Sequence, residues 1–161
     1  MEKIFRRLFN LAVVLSLATY VLADSITVST PLGDIQGVEE NGYRVFRGIP
    51  YAQSPIGQNR WKPPIPVESW SPSVLDASQF GYCCPSHKNS DYNEDCLFLN
   101  VWTPPLQDSI QKFPVMVYIH GGAFTSGCSS NPLFHGDYIA NSTNTILVTI
   151  NYRLGALGFL S

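Results

Sequence analysis

Charge is scarce in this chain, and what there is does not cluster. Asp, Glu, Lys and Arg make up 14% of the 161 residues, against 45% hydrophobic residues. So low a charged fraction excludes an intrinsically disordered polymer. The net charge is −2, and no Lys/Arg patch exists, so nothing supports nucleic-acid binding. Three scattered His and the absence of any Cys-x-x-Cys leave no metal-ligand spacing. There is no internal repeat and no low-complexity tract. Long uninterrupted helices are excluded by twelve Pro and twelve Gly. A Gly-x-Ser-x-Gly pentapeptide is also missing, so no serine stands on a strand–elbow–helix turn.

The N-terminus reads as a secretory signal. Lys3, Arg6 and Arg7 precede an apolar run from Leu11 to Leu22, and Val21-Leu22-Ala23 offers a cleavage site before Asp24. A retained signal anchor is the competing reading. Ser16, Thr19 and Tyr20 interrupt the run, which falls short of the ~20 apolar residues of a span. The expected organisation is therefore a signal peptide over 1–23 and one secreted domain portion over 24–161. Residues 1–23 carry +2, so the remainder carries −4. In an oxidising compartment Cys83, Cys84, Cys96 and Cys128 become disulfide candidates. Three pairings are possible. Cys83 and Cys84 are neighbours, and a vicinal bond is strained; either of them joined to Cys96 closes a small loop. Asn141-Ser142-Thr143 is an N-glycosylation sequon, meaningful if the chain is secreted.

Periodicity places the strands. Ile26–Val28 and Asp34–Val38 alternate apolar and polar residues around Pro31-Leu32-Gly33, a hairpin pattern. Asn41-Gly42 then separates Val38 from Tyr43–Phe46, and this dipeptide is a strong hairpin signal. The domain thus opens with an antiparallel meander. Residues 48–72 are dense in Pro, Gly and Trp, which forbids helix and suggests an irregular segment packed over a core. Leu97–Trp102 is the next strand. Val115–Ile119 and Ile146–Ile150 are continuously apolar, the pattern of strands buried on both faces of a central sheet. Between them, 134–140 suits a short helix.

The strand at Val115–Ile119 ends in His120-Gly121-Gly122-Ala123, followed by Phe124 and Gly127. Two Gly at a strand end can be only a tight turn. The flanking pattern is narrower than that. A buried strand running into residues with little or no side chain presents bare backbone N–H groups to a reaction centre. Such groups hold the oxygen anion formed when an ester carbonyl is attacked, and one donor lowers the barrier by roughly 3–4 kcal/mol. Gly122 and Ala123 are the candidate donors, with Gly121 shaping the turn. His120 reads as packing beneath the turn rather than as a base. Glu94-Asp95 at a strand entry suits a structural ion pair, with Arg60 or Arg153 as the partner. Ser126, Ser129 and Ser130 lack any His and acid arranged to activate them.

These segments, taken in order, carry a resemblance. Phe46–Ala52 (Phe-Arg-Gly-Ile-Pro-Tyr-Ala), Arg60-Trp61, Glu94–Trp102, Val117–Phe124 and Asn151–Phe159 (Asn-Tyr-Arg-Leu-Gly-Ala-Leu-Gly-Phe) resemble the N-terminal part of the type B carboxylesterase/cholinesterase family over nearly all of 24–161. The resemblance implies an α/β class, the N-terminal part of an α/β-hydrolase fold with an antiparallel meander leading into a central mixed sheet. It implies hydrolysis of small-molecule carboxylic esters through an acyl-enzyme, with no cofactor and no metal. It implies oxyanion donation by Gly122 and Ala123, the latter standing where many members have a third Gly. A Cys84–Cys96 disulfide and an Arg60–Glu94 ion pair carry over as well. The family's serine elbow, acid and His have no counterpart up to Ser161, so these residues are expected to hold the oxyanion half of a site and to be inactive alone. With the sheet incomplete, Ile146–Ile150 is expected at an uncovered edge, and Arg153 without a carboxylate. The loop between Cys84 and Cys96 has no Trp of the kind cholinesterases use for cation–π binding, which favours a general carboxylesterase. A non-catalytic, neuroligin-like relative is the alternative.

Overall fold

The structure, a computed structural model, describes residues 24–87, 91–106 and 111–160. The expected signal peptide lies outside these residues. Seven strands form one mixed sheet in the order β1-β2-β3-β5-β7-β6, with a two-residue strand β4 paired to β2. The strands are β1 (Asp24–Thr30), β2 (Gly33–Glu40), β3 (Tyr43–Pro50), β4 (Leu75–Asp76), β5 (Phe98–Thr103), β6 (Val115–Ile119) and β7 (Ile146–Ile150). Among the described residues there are two short α-helices, α1 (Asp137–Thr143) and α2 (Gly155–Phe159). The meander is antiparallel from β1 through β3, β5 and β7, and β6 runs parallel to β7. Asn41 and Gly42 both take positive φ, 47° and 84°, which turns β2 into β3 with the twist a two-residue hairpin needs.

Alternation of side chains along the strands divides the core. Val45 pairs with Trp102, and together with Tyr43 and Ala140 of α1 they fill one cluster. Their neighbours Phe46 and Val101 pair one step along and pack with Ile35, Ala77 and Trp70 in another. A third cluster joins Ala52, Leu97 and Leu154 to the sulfurs of Cys84 and Cys96. The helix starts later than expected. A single 3-10 turn over Pro132–Phe134, capped by Asn131 Oδ1 accepting from Leu133 N at 3.0 Å, precedes α1.

Three expectations are corrected. Val115–Ile119 is not buried on both faces: its five residues are 37–62% exposed, because β6 is the sheet edge and the described residues cover it sparsely, with Phe134 meeting the Tyr118 ring at 4.9 Å between centroids. Ile146–Ile150, expected at the edge, instead lies between β5 and β6, with Leu147 and Thr149 buried. The segment 48–72 is packed only in part. Trp70 joins the core and its Nε1 donates to Asp34 O at 2.9 Å, whereas Trp61 is 61% exposed. Trp61 sits at φ 61°, and its Nε1 donates to Ala156 O at 3.1 Å, so its indole lies across the surface beside α2.

One ion pair fastens the meander. Arg47 donates from Nη1 and Nη2 to the two oxygens of Glu40 at 2.9 and 2.7 Å, and Tyr43 Oη donates to the same carboxylate at 3.0 Å. The Arg47 hydrogen bond holds the Glu40 carboxyl below its ordinary 4.5. Burial first, then the bond to Glu40, pushes the Tyr43 phenol up to about 12. A carboxyl with a depressed folded pKa contributes stability that is complete above its unfolded value and is lost as pH falls through the folded one. Wild-type stability is therefore expected to drop below about pH 4.5, while Glu40→Gln starts lower at pH 7 and shows a shallower acid limb. Denaturant midpoints measured between pH 7 and pH 3 check this.

Candidate active site

The edge strand β6 delivers the chain to His120, which is 3% exposed, and from there into a left-handed turn. Gly122, Ala123 and Phe124 take φ values of 136°, 51° and 60°. Three successive carbonyls are held in this stretch. His120 O accepts from Tyr152 Oη at 2.8 Å. Gly121 O lies 3.0 Å from His120 Nδ1, so that nitrogen carries the proton in this bond. Gly122 O accepts from the backbone N–H of Thr125 and Ser126 at 3.0 and 3.1 Å. In a trans peptide the N–H points opposite the carbonyl of the same plane. Fixing the carbonyls of 120, 121 and 122 therefore fixes the N–H groups of Gly121, Gly122 and Ala123 on the other side. No described residue accepts a hydrogen bond from those three N–H groups.

Sterics explain two glycines of this turn. A Cβ on Gly122 would collide with the Ser126 carbonyl, and one on Gly127 would strike the His120 ring and Gly121 O. Gly121, expected to shape the turn, has an ordinary φ, and a Cβ there would meet nothing within 4 Å. Curvature comes from Gly122 and Gly127 instead. Ala123 and Phe124 are the strained members, since a left-handed non-glycine residue costs roughly 1–2 kcal/mol.

The turn borders a cleft of about 400 Å³ whose walls are Ile119, Phe124, Ile150, Tyr152 and Phe159. Phe124 and Phe159 meet at 4.7 Å between ring centroids, and the Tyr152 and Phe159 rings stand perpendicular at 6.4 Å. No Asp, Glu, Lys or Arg lines this cleft. It is a place where an uncharged group is desolvated next to bare amide donors. Burial raises the Tyr152 phenol above its ordinary value, which keeps it protonated at neutral pH.

Beneath the turn lies a polar network that the sequence reading missed. Asn100 of β5 accepts from Gly48 N at 2.9 Å and donates to Ser129 Oγ and Thr149 Oγ1 at 3.0 and 3.1 Å. Asn151 accepts from Ser129 N at 2.8 Å and donates to Tyr82 O at 3.0 Å. All four side chains are buried. The available signal was a polar residue at an inward position of each apolar strand, Asn100 within Phe98–Thr103 and Thr149 within Ile146–Ile150. Ser129 and Ser126 are thus buried structural groups, and Ser130 Oγ sits 3.1 Å from Cys128 Sγ.

Two disulfides close on this region. Cys84 is bonded to Cys96, and Cys83 to Cys128, the residue after Gly127. In the loop-closure account the 45-residue separation of Cys83 and Cys128 removes more unfolded-state entropy, about 4 kcal/mol, than the 12-residue separation of the other pair, about 3 kcal/mol. Arg60 Nη2 donates to Glu94 Oε2 at 2.5 Å, and that hydrogen bond raises the Arg60 pKa; both groups are solvated enough that the pair orders the surface more than it stabilises it. Arg153 finds a carbonyl in place of a carboxylate, donating to Lys62 O at 3.0 Å. Asn141 lies in the last turn of α1, exposed, with Nδ2 donating to Asn41 O at 3.3 Å. Among the described residues no cluster of His, Cys, Asp or Glu is arranged for a metal.

Comparison with known proteins gives the family to which this fold belongs. The model of the "Carboxylesterase family" matches residues 24–161. The para-nitrobenzyl esterase of Bacillus subtilis (strain 168) is 44% identical over 142 residues, covering 83% of this chain and 28% of that protein. The phenmedipham hydrolase of Pseudarthrobacter oxydans is 40% identical over 144 residues, covering 82% of this chain and 29% of that protein. A solved thermophilic PNB esterase superposes with a TM-score of 0.77 at 44% identity, over 84% of this chain and 29% of that one. The chain belongs to the carboxylesterase family. It spans less than a third of the length of the curated relatives it matches.

Ala123→Gly is expected to stabilise the protein by about 1 kcal/mol, because it removes left-handed strain and keeps the N–H. Gly122→Ala is expected to cost more than about 2 kcal/mol, since it adds both strain and a backbone collision. Thermal or chemical denaturation of the two variants measures both.

Proposed function

We propose that residues 24–161 form the oxyanion-binding half of a serine carboxylic ester hydrolase. In this reading a serine hydroxyl supplied by other sequence attacks the ester carbonyl, and the carbonyl oxygen becomes an anion in a tetrahedral intermediate. The N–H groups of Gly122 and Ala123 hold that anion. The intermediate collapses with cleavage of the C–O bond, the leaving oxygen takes a proton and departs as alcohol or phenol, and water then hydrolyses the acyl-serine to the carboxylic acid and the free hydroxyl. The nucleophile, base and acid are not among these 161 residues, which therefore do not turn over esters by themselves. The observation that carries the reading is the set of three pinned carbonyls, which leaves the opposite N–H groups without a protein acceptor. The same intact turn favours an enzyme over an adhesion-type relative.

The substrate in this reading is a small neutral ester. The cleft wall is aromatic and uncharged, and Tyr92 in the loop between Cys84 and Cys96 is a weaker cation binder than Trp. No cofactor takes part.

A chimera tests the reading directly. Residues 24–161 replace the matching segment of the Bacillus subtilis para-nitrobenzyl esterase, which supplies the remaining sequence. The chimera is expected to hydrolyse p-nitrophenyl esters and to prefer neutral esters over choline esters. A crystal structure with a phosphonate on the serine is expected to place the phosphoryl oxygen within hydrogen-bond distance of the N–H groups of residues 122 and 123. Amides turned away from that oxygen would falsify the assignment.

The secretory reading goes with it: cleavage after Ala23, export, and an N-linked glycan on Asn141. The exposed position of Asn141 suits an acceptor. Carried in the chimera behind its own residues 1–23 and expressed in a secreting eukaryotic cell, the sequence is expected to appear in the medium with Asp24 as its first residue and to lose mass on endoglycosidase treatment. Retention of residues 1–23 on the secreted product would rule the cleavage site out.

A further inference from the structure

We propose that Tyr152 is a positioning residue for the oxyanion-binding turn: its hydroxyl sets the peptide plane that aims the Gly121 N–H, and its ring seats the imidazole that aims the Gly122 N–H. The inference rests on the reading of the turn given above and adds the group that makes the turn hold its shape.

Of the three carbonyls held in the turn, Gly122 O is fixed by the turn's own backbone, through Thr125 and Ser126. Gly121 O is fixed by the side chain of its neighbour His120. Only His120 O is fixed from outside the turn, by Tyr152 Oη at 2.8 Å. The same tyrosine lies flat against the His120 ring, with centroids 4.5 Å apart and planes 19° from parallel. An imidazole free to rotate about χ1 and χ2 would lose the Nδ1–H contact to Gly121 O. Stacking on Tyr152, with the Gly127 backbone close beside Nδ1 and Cε1, removes that freedom. Tyr152 therefore acts twice, once through a carbonyl and once through a ring.

Tyr152 is itself well located. Ile150 pairs with Ile119 across the parallel β6–β7 ladder, so the two chain exits leave the sheet at the same level, with Tyr152 two residues past one and His120 one residue past the other. Asn151, between Ile150 and Tyr152, donates from its N–H to Phe98 O at 2.9 Å and is locked by its side chain to Ser129 and Tyr82. The phenol remains a donor at neutral pH, since burial raises its pKa. Its proton is committed to His120 O, so the role is to aim amides and not to touch the reacting atoms.

The test is Tyr152→Phe in the chimera with the Bacillus subtilis esterase, with Tyr43→Phe as control. Tyr43 Oη donates to Glu40 Oε2 at 3.0 Å, a bond within the meander that does not reach the turn. Active serines are counted by phosphonate titration, so a change in folded fraction does not enter kcat. Loss of the hydroxyl frees the 120–121 peptide plane, and with it the adjoining 121–122 plane that carries the Gly122 donor. Tyr152→Phe is therefore expected to lower kcat about tenfold with KM changed less than about twofold, and to weaken a trifluoromethyl ketone inhibitor by a similar factor, because a misaimed donor acts on the anion more than on the ground state. Tyr43→Phe is expected to leave kcat within about twofold. An unchanged kcat per titrated serine in Tyr152→Phe, or an equal loss in Tyr43→Phe, overturns the proposal. An unsubstituted chimera that titrates with phosphonate but hydrolyses no ester instead refutes the reading of the turn. Where the chimera yields no titratable serine, amide exchange in the full chain decides. Faster exchange at Thr125 and Ser126 in Tyr152→Phe but not in Tyr43→Phe supports the role, and equal rates overturn it.

Discussion

A peptide group has two ends, and holding one aims the other. The whole candidate site depends on that constraint. Nothing in the turn at His120–Gly127 grips a substrate through a side chain. The turn instead commits carbonyls inward, to Tyr152, to His120 and to the N–H groups of Thr125 and Ser126. What remains on the outer side is a row of amide protons that cannot rotate away without breaking those bonds. Preorganisation of this kind is useful because donors that are already aimed need no reorganisation when charge develops.

Around that turn the supports differ in kind and in strength. The aromatic stack and the carbonyl bonds act locally. The Asn100–Thr149–Ser129–Asn151 network ties the chain just past the turn to the centre of the sheet, and since all four groups are buried, each lost bond would leave an unsatisfied polar atom. The Cys83–Cys128 disulfide adds a covalent tie one residue beyond Gly127. The Arg60–Glu94 pair, by contrast, lies in solvent away from the cleft walls and contributes orientation at the surface. Buried neutral hydrogen bonds, more than charges, hold this site.

Much of this was legible before any coordinates. The hairpin at Asn41-Gly42, the strand at β5 and the turn after Ile119 follow from local chemistry: positive φ at Asn-Gly, alternation, and a strand broken by small residues. The misreadings share a cause. An apolar run such as Val115–Ile119 reports that a strand belongs in a sheet interior, and it does not report which described strands surround it. Here β7, later in sequence, inserts between β5 and β6 and leaves β6 outside. The position of Trp61 was misjudged for a related reason, because composition suggests burial while the partner that would provide it is a matter of tertiary contact. The resemblance gave Gly121 the shaping of the turn, and the positive φ and close backbone neighbours that require glycine are found at Gly122 and Gly127. The second disulfide was beyond reach, since spacing alone does not choose among pairings.

Asn100 and Thr149 face each other directly across β5 and β7. Sliding β7 by a single residue would set Val148 or Ile150 against the Asn100 amide, turn Thr149 to the opposite face, and break the bond Thr149 donates to Ser129 O. A purely aliphatic pair of strands would tolerate such a shift at modest cost, because one branched hydrocarbon packs much like another. The polar pair acts as an alignment key, accepting one offset and rejecting its neighbours. That offset sets the height at which Tyr152 leaves the sheet, so the bond that Tyr152 makes to the His120 carbonyl is decided, several residues upstream, by an asparagine that meets its threonine.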